Sequence, residues 1–294
     1  MLGNLFELGV TSVRRYGSAI AIWVVFMAVA VTLWLTQDNI FYLFNFAYIG
    51  TCVAVGAVLM SLKKKGARRF VQLAVGLYLL VFVGLISQEN MQIEGFWYYL
   101  FLGIFQGATI HYLVAKIAGP VLFGRGWCGY ACWTAMVLDF LPWKRSPGRK
   151  AGLGWIRYAL FVAALVLVGA TFVFHVASEH LYFIMFIVGN IAYYVVGIAL
   201  AAALRDNRAF CKYICPVGVF MKPGARVSIM RVVCDESKCT KCGACKRVCP
   251  MDVDMTDNAR TRVNGTECIL CGDCAHACPH GALDIKAGGG KTQG

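Results

Sequence analysis

Six apolar runs constrain this chain more than any other feature. They cover about 18–36, 40–62, 70–87, 96–119, 155–176 and 183–204, and a spanning helix needs roughly 20 mostly apolar residues. The connections alternate in charge. Arg14 and Arg15 precede the first run, "KKKGARR" fills 63–69, the 120–154 connection carries Arg125, Lys144, Arg145, Arg149 and Lys150, and Arg205, Arg208 and Lys212 follow the last. Loops 37–39, 88–95 and 177–182 hold no Lys or Arg. Positive loops stay on the cytoplasmic side, so both termini are expected there. The first apolar stretch is about 18 residues, longer than the 7–15 of a signal h-region, so a retained helix is expected. The expected fold is an α-helical membrane protein with six transmembrane helices and a small C-terminal α+β domain.

Charge supports that division. The whole net charge of +13 lies in residues 1–233, and residues 234–294 carry 8 basic and 8 acidic side chains. The excess therefore flanks apolar runs, and no nucleic-acid partner is expected. At 59% hydrophobic and 15% charged, the composition is far from the roughly 25% charged of soluble domains.

Fourteen cysteines exceed what packing needs. "CTKCGACKRVCP" from Cys239 and "CILCGDCAHACP" from Cys268 share the pattern C-x2-C-x2-C-x3-C-P, offset by 29 residues at every cysteine. Three thiolates of such a run reach one iron–sulfur cubane, and the fourth reaches the other. Cys239, Cys242, Cys245 and Cys278 are thus assigned to one [4Fe-4S] cluster, and Cys268, Cys271, Cys274 and Cys249 to a second. Zinc sites show two C-x2-C pairs with longer spacers instead. Gly243 and Gly272 leave room for backbone N–H groups near sulfur. Cys234 and Cys52 read as packing residues. A domain of about 60 residues is marginal alone, so the clusters should supply much of its stability. The expected organisation is a transmembrane domain over 1–230, a bacterial-type 2[4Fe-4S] ferredoxin domain over 231–287 and a flexible tail over 288–294.

A second repeat is fainter. "RGWCGYAC" (125–132) aligns with "RAFCKYIC" (208–215) as R-x-aromatic-C-x-Y-x-C, offset by 83. Each follows a run expected to end on the cytoplasmic side, so the spans form two parallel repeats. Cys128, Cys132, Cys211 and Cys215 then lie at one depth, enough for a third centre. A dithiol, a zinc or copper site, and plain packing stand as alternatives. Pro216 and Gly218 supply a turn to dock the ferredoxin domain.

These motifs, "GRGWCGYACW", "CKYICPVG" and the two ferredoxin runs, resemble those of the membrane-bound polyferredoxins typified by NapH, related to CcoG-type proteins and the NosR C-terminal region. The resemblance covers roughly 70–285. It implies a prokaryotic cytoplasmic-membrane protein passing electrons between the quinone/quinol pool and a redox partner protein, as a quinol dehydrogenase component. Trp133 stands where the family commonly has Pro, whereas Pro216 is kept. The large outer domain of CcoG- and NosR-type proteins has no counterpart, which favours the compact NapH plan. A cupric reductase or assembly factor, and a relay subunit without its own substrate site, are the alternatives.

Candidate proton acceptors on the outer face are Glu89, Glu94, His175, Glu179 and His180, of which His175, Glu179 and His180 are the candidates for quinol chemistry. No haem is expected: C-x-x-C-H is missing, and a continuous helix over 96–119 puts His111 roughly 20 Å deeper than His175. "QGATI" (106–110) reads as helix packing and "WYY" (97–99) as an aromatic belt.

Overall fold

The computed structural model describes residues 2–62, 64, 66–105 and 107–287. The tail at 288–294, Lys63 and Lys65 of the basic loop, and Gln106 of "QGATI" lie outside the described residues, as do the side chains of Arg14 and Arg15. Two compact units, Met1–Tyr78 and Leu79–Gly294, divide the chain.

The first unit holds α1 (Leu2–Gln37), α2 (Ile40–Ser61) and α3 (Ala67–Leu77). Asn39 caps α2 by accepting from the Phe41 N–H. Small residues let these helices touch: a Cβ on Gly50 would lie 2.4 Å from that of Phe26, and one on Gly56 2.0 Å from Val71 Cγ2. Close approach at glycine is how helices pack where water supplies no drive.

A π-helical segment, Tyr78–Ile86, follows α3 and carries the chain into the second unit at Leu79. The second unit holds α4 (Ile93–Phe101), α5 (Ala108–Tyr112), a π segment (Leu113–Ala118) and α6 (Gly119–Phe123). The two cysteine motifs form α7 (Gly126–Tyr130) and α11 (Ala209–Tyr213). They are followed by α8 (Trp133–Leu138) and α12 (Val217–Arg226), and separated by the long α9 (Ile156–Val173) and α10 (Glu179–Leu204). The ferredoxin segment adds β1 (Met230–Cys234), α13 (Ala244–Val248), α14 (Asp273–Ala277) and β2 (Leu283–Ala287). β1 and β2 pair antiparallel, Met230 opposite Ala287 and Cys234 opposite Leu283.

Five helices are long and apolar enough to cross a membrane: Ala19–Gln37, Ile40–Ser61, Ala67–Ile86, Ile156–Val173 and Glu179–Leu204. They match five of the six expected runs. Their outward side chains are apolar, as on α9 where Val162 and Val166 are more than half exposed, the pattern of a lipid-facing surface.

The fourth expected span, 96–119, is not one helix. α4 ends at Phe101 and the next helix begins at Ala108, and between them Gly103 and Gly107 take φ of +70° and +49°, values that L side chains avoid. The apolar helix Ala108–Phe123 is shorter than the five others. Loop 88–95, expected as an outer connection, instead dips inward. Asn90 Nδ2 donates to the Tyr182 carbonyl near the start of α10, and Gln92 reaches Gly189, where a Cβ would lie 2.3 Å from Gln92 Oε1. Ten residues of α10 amount to about 15 Å of depth. From there α4 climbs back: Ile93 and Trp97 pack by Ala164 and Phe161, Tyr98 and Phe101 by Phe172. Glu94 therefore stands in the first turn of this re-entrant helix, not on an outer loop. The depth argument for His111 falls too, because its helix starts only at Ala108. His111 is instead sealed against Trp127, ring centroids 4.8 Å apart.

Candidate metal centres

The ferredoxin segment repeats itself in backbone detail. Gly243 and Gly272 are left-handed N-caps of α13 and α14, and Lys241 and Leu270 are left-handed two residues earlier. The fourth cysteine of each run accepts a backbone N–H, Val253 to Cys249 Sγ at 3.4 Å and Ala282 to Cys278 Sγ at 3.3 Å. These N–H donors would stabilise negative sulfur. One cavity of about 280 Å³ is lined by Cys249, Cys268, Cys271 and Cys274. A second of about 330 Å³ is lined by Cys239, Cys242, Cys245 and Cys278. Each cavity thus draws three cysteines from one run and the fourth from the other. Buried Cys234 also lines the second cavity, and burial together with the neighbouring Cys239 thiol pushes it up to about 12. Exposed Cys242 is held below the usual thiol range, chiefly by the Ala244 N–H.

The membrane-edge motifs form a third cavity of about 560 Å³ lined by Cys128, Cys132, Cys211 and Cys215. The motifs are matched bond for bond. Arg125 Nη2 lies 3.8 Å from Cys128 Sγ, and Arg208 Nη1 lies 3.8 Å from Cys211 Sγ. Cys132 N–H donates to the Trp127 carbonyl at 3.1 Å, and Cys215 N–H to the Phe210 carbonyl at 3.0 Å. Each arginine also reaches across. Arg208 Nη1 donates to the Cys128 carbonyl at 3.0 Å, and Arg125 lies against Gly218, where a Cβ would sit 3.1 Å from Nη2. Burial raises the Cys211 and Cys215 thiols to about 12 and about 11, so a metal entering here displaces protons. Trp133 is pinned rather than loose, its Nε1 donating to Asn190 Oδ1 at 2.7 Å.

The donor set fits iron–sulfur chemistry at all three places. Among the described residues, no three His, Cys, Asp or Glu side chains gather closely enough for a single ion, whereas each set of four thiols rings a cavity. In the membrane-edge cavity the amide of Gln92 and the Trp127 Nε1 are buried without partners, as donors facing cluster sulfur would be.

Three residues of this site escaped the sequence reading. Lys116 lines the third cavity and is boxed by rings, its Nζ 4.3 Å from the Trp127 centroid and 5.9 Å from that of Trp133. A lysine inside an apolar run was its available signal. Gln92 gave none, because the re-entrant turn places it. Glu267 joins the ferredoxin to the motifs: it is 2% exposed, pairs with Arg125, and meets Arg157 Nη1 at 2.9 Å and Arg149 Nη2 at 3.6 Å. Burial would raise its pKa, but Arg125, Arg157 and Arg149 hold it below the ordinary carboxylate range. The candidates His175, Glu179 and His180 are all exposed, at the end of α9 and in the first turn of α10.

The second ferredoxin run faces the motifs. Arg125 N–H donates to the Cys268 carbonyl at 3.3 Å, and Tyr130 OH to the Leu270 carbonyl at 2.9 Å. A Cβ on Gly129 would sit 2.4 Å from the Ile269 carbonyl oxygen. The matching position in the other motif is Lys212, whose Nζ reaches Asp252 Oδ2 at 2.6 Å.

Comparison with known proteins bears on both repeats. The family described as "4Fe-4S dicluster domain" matches residues 238–283, and the "4Fe-4S binding domain" family matches 108–151 and 191–230, the two segments that carry the membrane-edge cysteines. The ferredoxin-type protein NapH of Haemophilus influenzae is 27% identical over 194 residues, 58% of this chain and 64% of that protein. The chain resembles the NapH-type membrane polyferredoxins. The methylamine utilization ferredoxin-type protein MauN of Methylobacillus flagellatus is 28% identical over 190 residues, 58% of this chain and 64% of its own. An uncharacterized protein of Methanocaldococcus jannaschii is 36% identical over 98 residues, 33% of this chain and 38% of that relative. The chain thus spans less than two thirds of these relatives' length. No solved structure matches it.

Proposed function

We propose that this polyferredoxin is an iron–sulfur electron relay. It would carry single electrons between a soluble-side ferredoxin segment and a membrane redox partner, the quinone/quinol pool. The observation that carries the reading is the seating of the Cys268–Leu270 backbone on the first membrane-edge motif. It sets an order: the set Cys239, Cys242, Cys245 and Cys278 outermost, the set Cys249, Cys268, Cys271 and Cys274 next, and Cys128, Cys132, Cys211 and Cys215 at the membrane edge. Clusters held there supply one-electron carriers. The chain's own residues exclude water from the middle set, offset thiolate charge with Arg125 and Arg208, and fix the sets relative to one another through Glu267. The basic loops support a cytoplasmic side for the motifs and both termini.

Iron analysis and EPR on anaerobically purified protein test this. Twelve irons with three paramagnetic centres are expected for three cubanes, falling to eight with two centres in Cys128→Ser/Cys211→Ser. Eight irons in the unaltered protein would overturn the third centre. Reduction of the centres by added quinol is expected, and none at all would remove the quinone part.

A further inference from the structure

A second large cavity lies apart from the cysteines. It is an open cleft lined by Arg149, Arg157, Lys222, Arg226, Arg260 and Arg262. Glu267 is the one carboxylate on its wall, and it is already shared among Arg125, Arg157, Arg149 and Lys222. The cationic excess is therefore not neutralised from within. The Arg226 guanidinium makes no hydrogen bond or ion pair among the described residues, and Arg260 bonds through Nη1 alone, to the carbonyls of Arg226 and Ser228. Arg157 is fully buried, yet its Nε has no partner. Such an arrangement lacks an anion.

Position says what kind. Arg157 and Tyr158 are the second and third residues of α9, a membrane span, so the cavity opens where headgroups lie. Exposed apolar side chains adjoin its lining residues in the chain: Trp155 after Gly154, Val227 after Arg226 and Val263 after Arg262. A soluble phosphate would use the arginines and leave those apolar side chains bare. A lipid uses both, and basic pockets at span ends suit anionic headgroups.

We propose that this cavity binds the phosphate headgroup of an anionic phospholipid, with its acyl chains along the exposed face of α9. The lipid would wedge between the span and the 260–267 loop that carries Glu267, and so brace the ferredoxin segment. This stands whether or not the third centre exists.

The test is native mass spectrometry of the iron-loaded full chain released from nanodiscs, of phosphatidylcholine alone or with phosphatidylglycerol. One phosphatidylglycerol should stay bound preferentially to the unaltered protein. Arg226→Ala/Arg260→Ala should retain it about thirtyfold less well, since each charge at a membrane surface is worth a factor of about five. Both side chains are exposed, and unchanged iron content confirms folding. Arg226→Lys/Arg260→Lys should recover most of the retention. Equal retention of both lipids, equal retention by the alanine variant, or displacement by millimolar inorganic phosphate would each overturn the proposal.

Discussion

Glu267 shows how one side chain decides a joint. Its carboxylate is the common partner of Arg125 and Arg157, both fully buried. Replacing such a buried pair by apolar groups can be neutral, but removing one partner strands the others. Glu267→Gln should therefore destabilise the iron-loaded protein by about 3–5 kcal/mol, read from the denaturation midpoint. A change under about 1 kcal/mol would mean that the arginines find other partners. Lys116 acts through charge instead. It lines the membrane-edge cavity without bonding a cysteine. A unit charge roughly 8 Å away at an effective dielectric of 20 is worth about 2 kcal/mol. With a cluster held there as proposed, Lys116→Met should lower its midpoint potential by about 50–100 mV, because the positive charge favours the reduced, more negative state. Lys116→Arg should restore it. A titration followed by EPR decides, and equal potentials in all three proteins would remove Lys116 from this role.

At the scale of elements, what the sequence makes legible depends on whether chemistry or packing sets the shape. Hydropathy marks five spans to within about four residues, because lipid leaves long apolar helices little alternative. Cysteine spacing marks both repeats, because each pattern recurs at a constant offset. The break in 96–119 leaves a weaker trace: "FWYYLFLGIFQGATI" carries no charge and only Gln106 and Thr109 interrupt its apolar and aromatic run, and the re-entrant turn depends on contacts with α10 that no local pattern encodes. Gln92 was missed for that reason. The two glycines of the break separate strain from crowding. A Cβ on Gly103 meets nothing within 4 Å, whereas one on Gly107 would lie 2.3 Å from Glu89 Oε2. Both take positive φ, which costs an alanine about 1–2 kcal/mol. Gly107→Ala should lower the melting temperature clearly more than Gly103→Ala, since it also displaces Glu89. Equal losses would mean that Glu89 moves aside freely.

For the whole molecule, the two ends are stabilised by different means, and removing iron should separate them. The spans are long helices whose backbone groups are satisfied within each segment, and lipid gives them no cheaper state. The ferredoxin segment has no such support. Its sheet is a single antiparallel pair of five-residue strands, and α13 and α14 have five residues each. Two-stranded sheets and helices this short are marginal in water. Its core consists largely of the cysteines themselves, with Met251, Val253, Met255, Ile269 and Leu283 around them. Thiolates crowded without metal repel or must take up protons, so metal binding and folding of this segment are one equilibrium. Chelation should therefore leave far-UV circular dichroism mostly intact, because α9, α10 and the first three helices dominate it. The same treatment should open 235–287 to proteolysis, with first cuts in the exposed stretches around Lys241 and Arg260. The docking contacts through Glu267, Tyr130 and Lys212 belong to that segment and would be lost with it. A chelated protein that keeps the segment protected would show that these contacts, rather than the clusters, hold it folded.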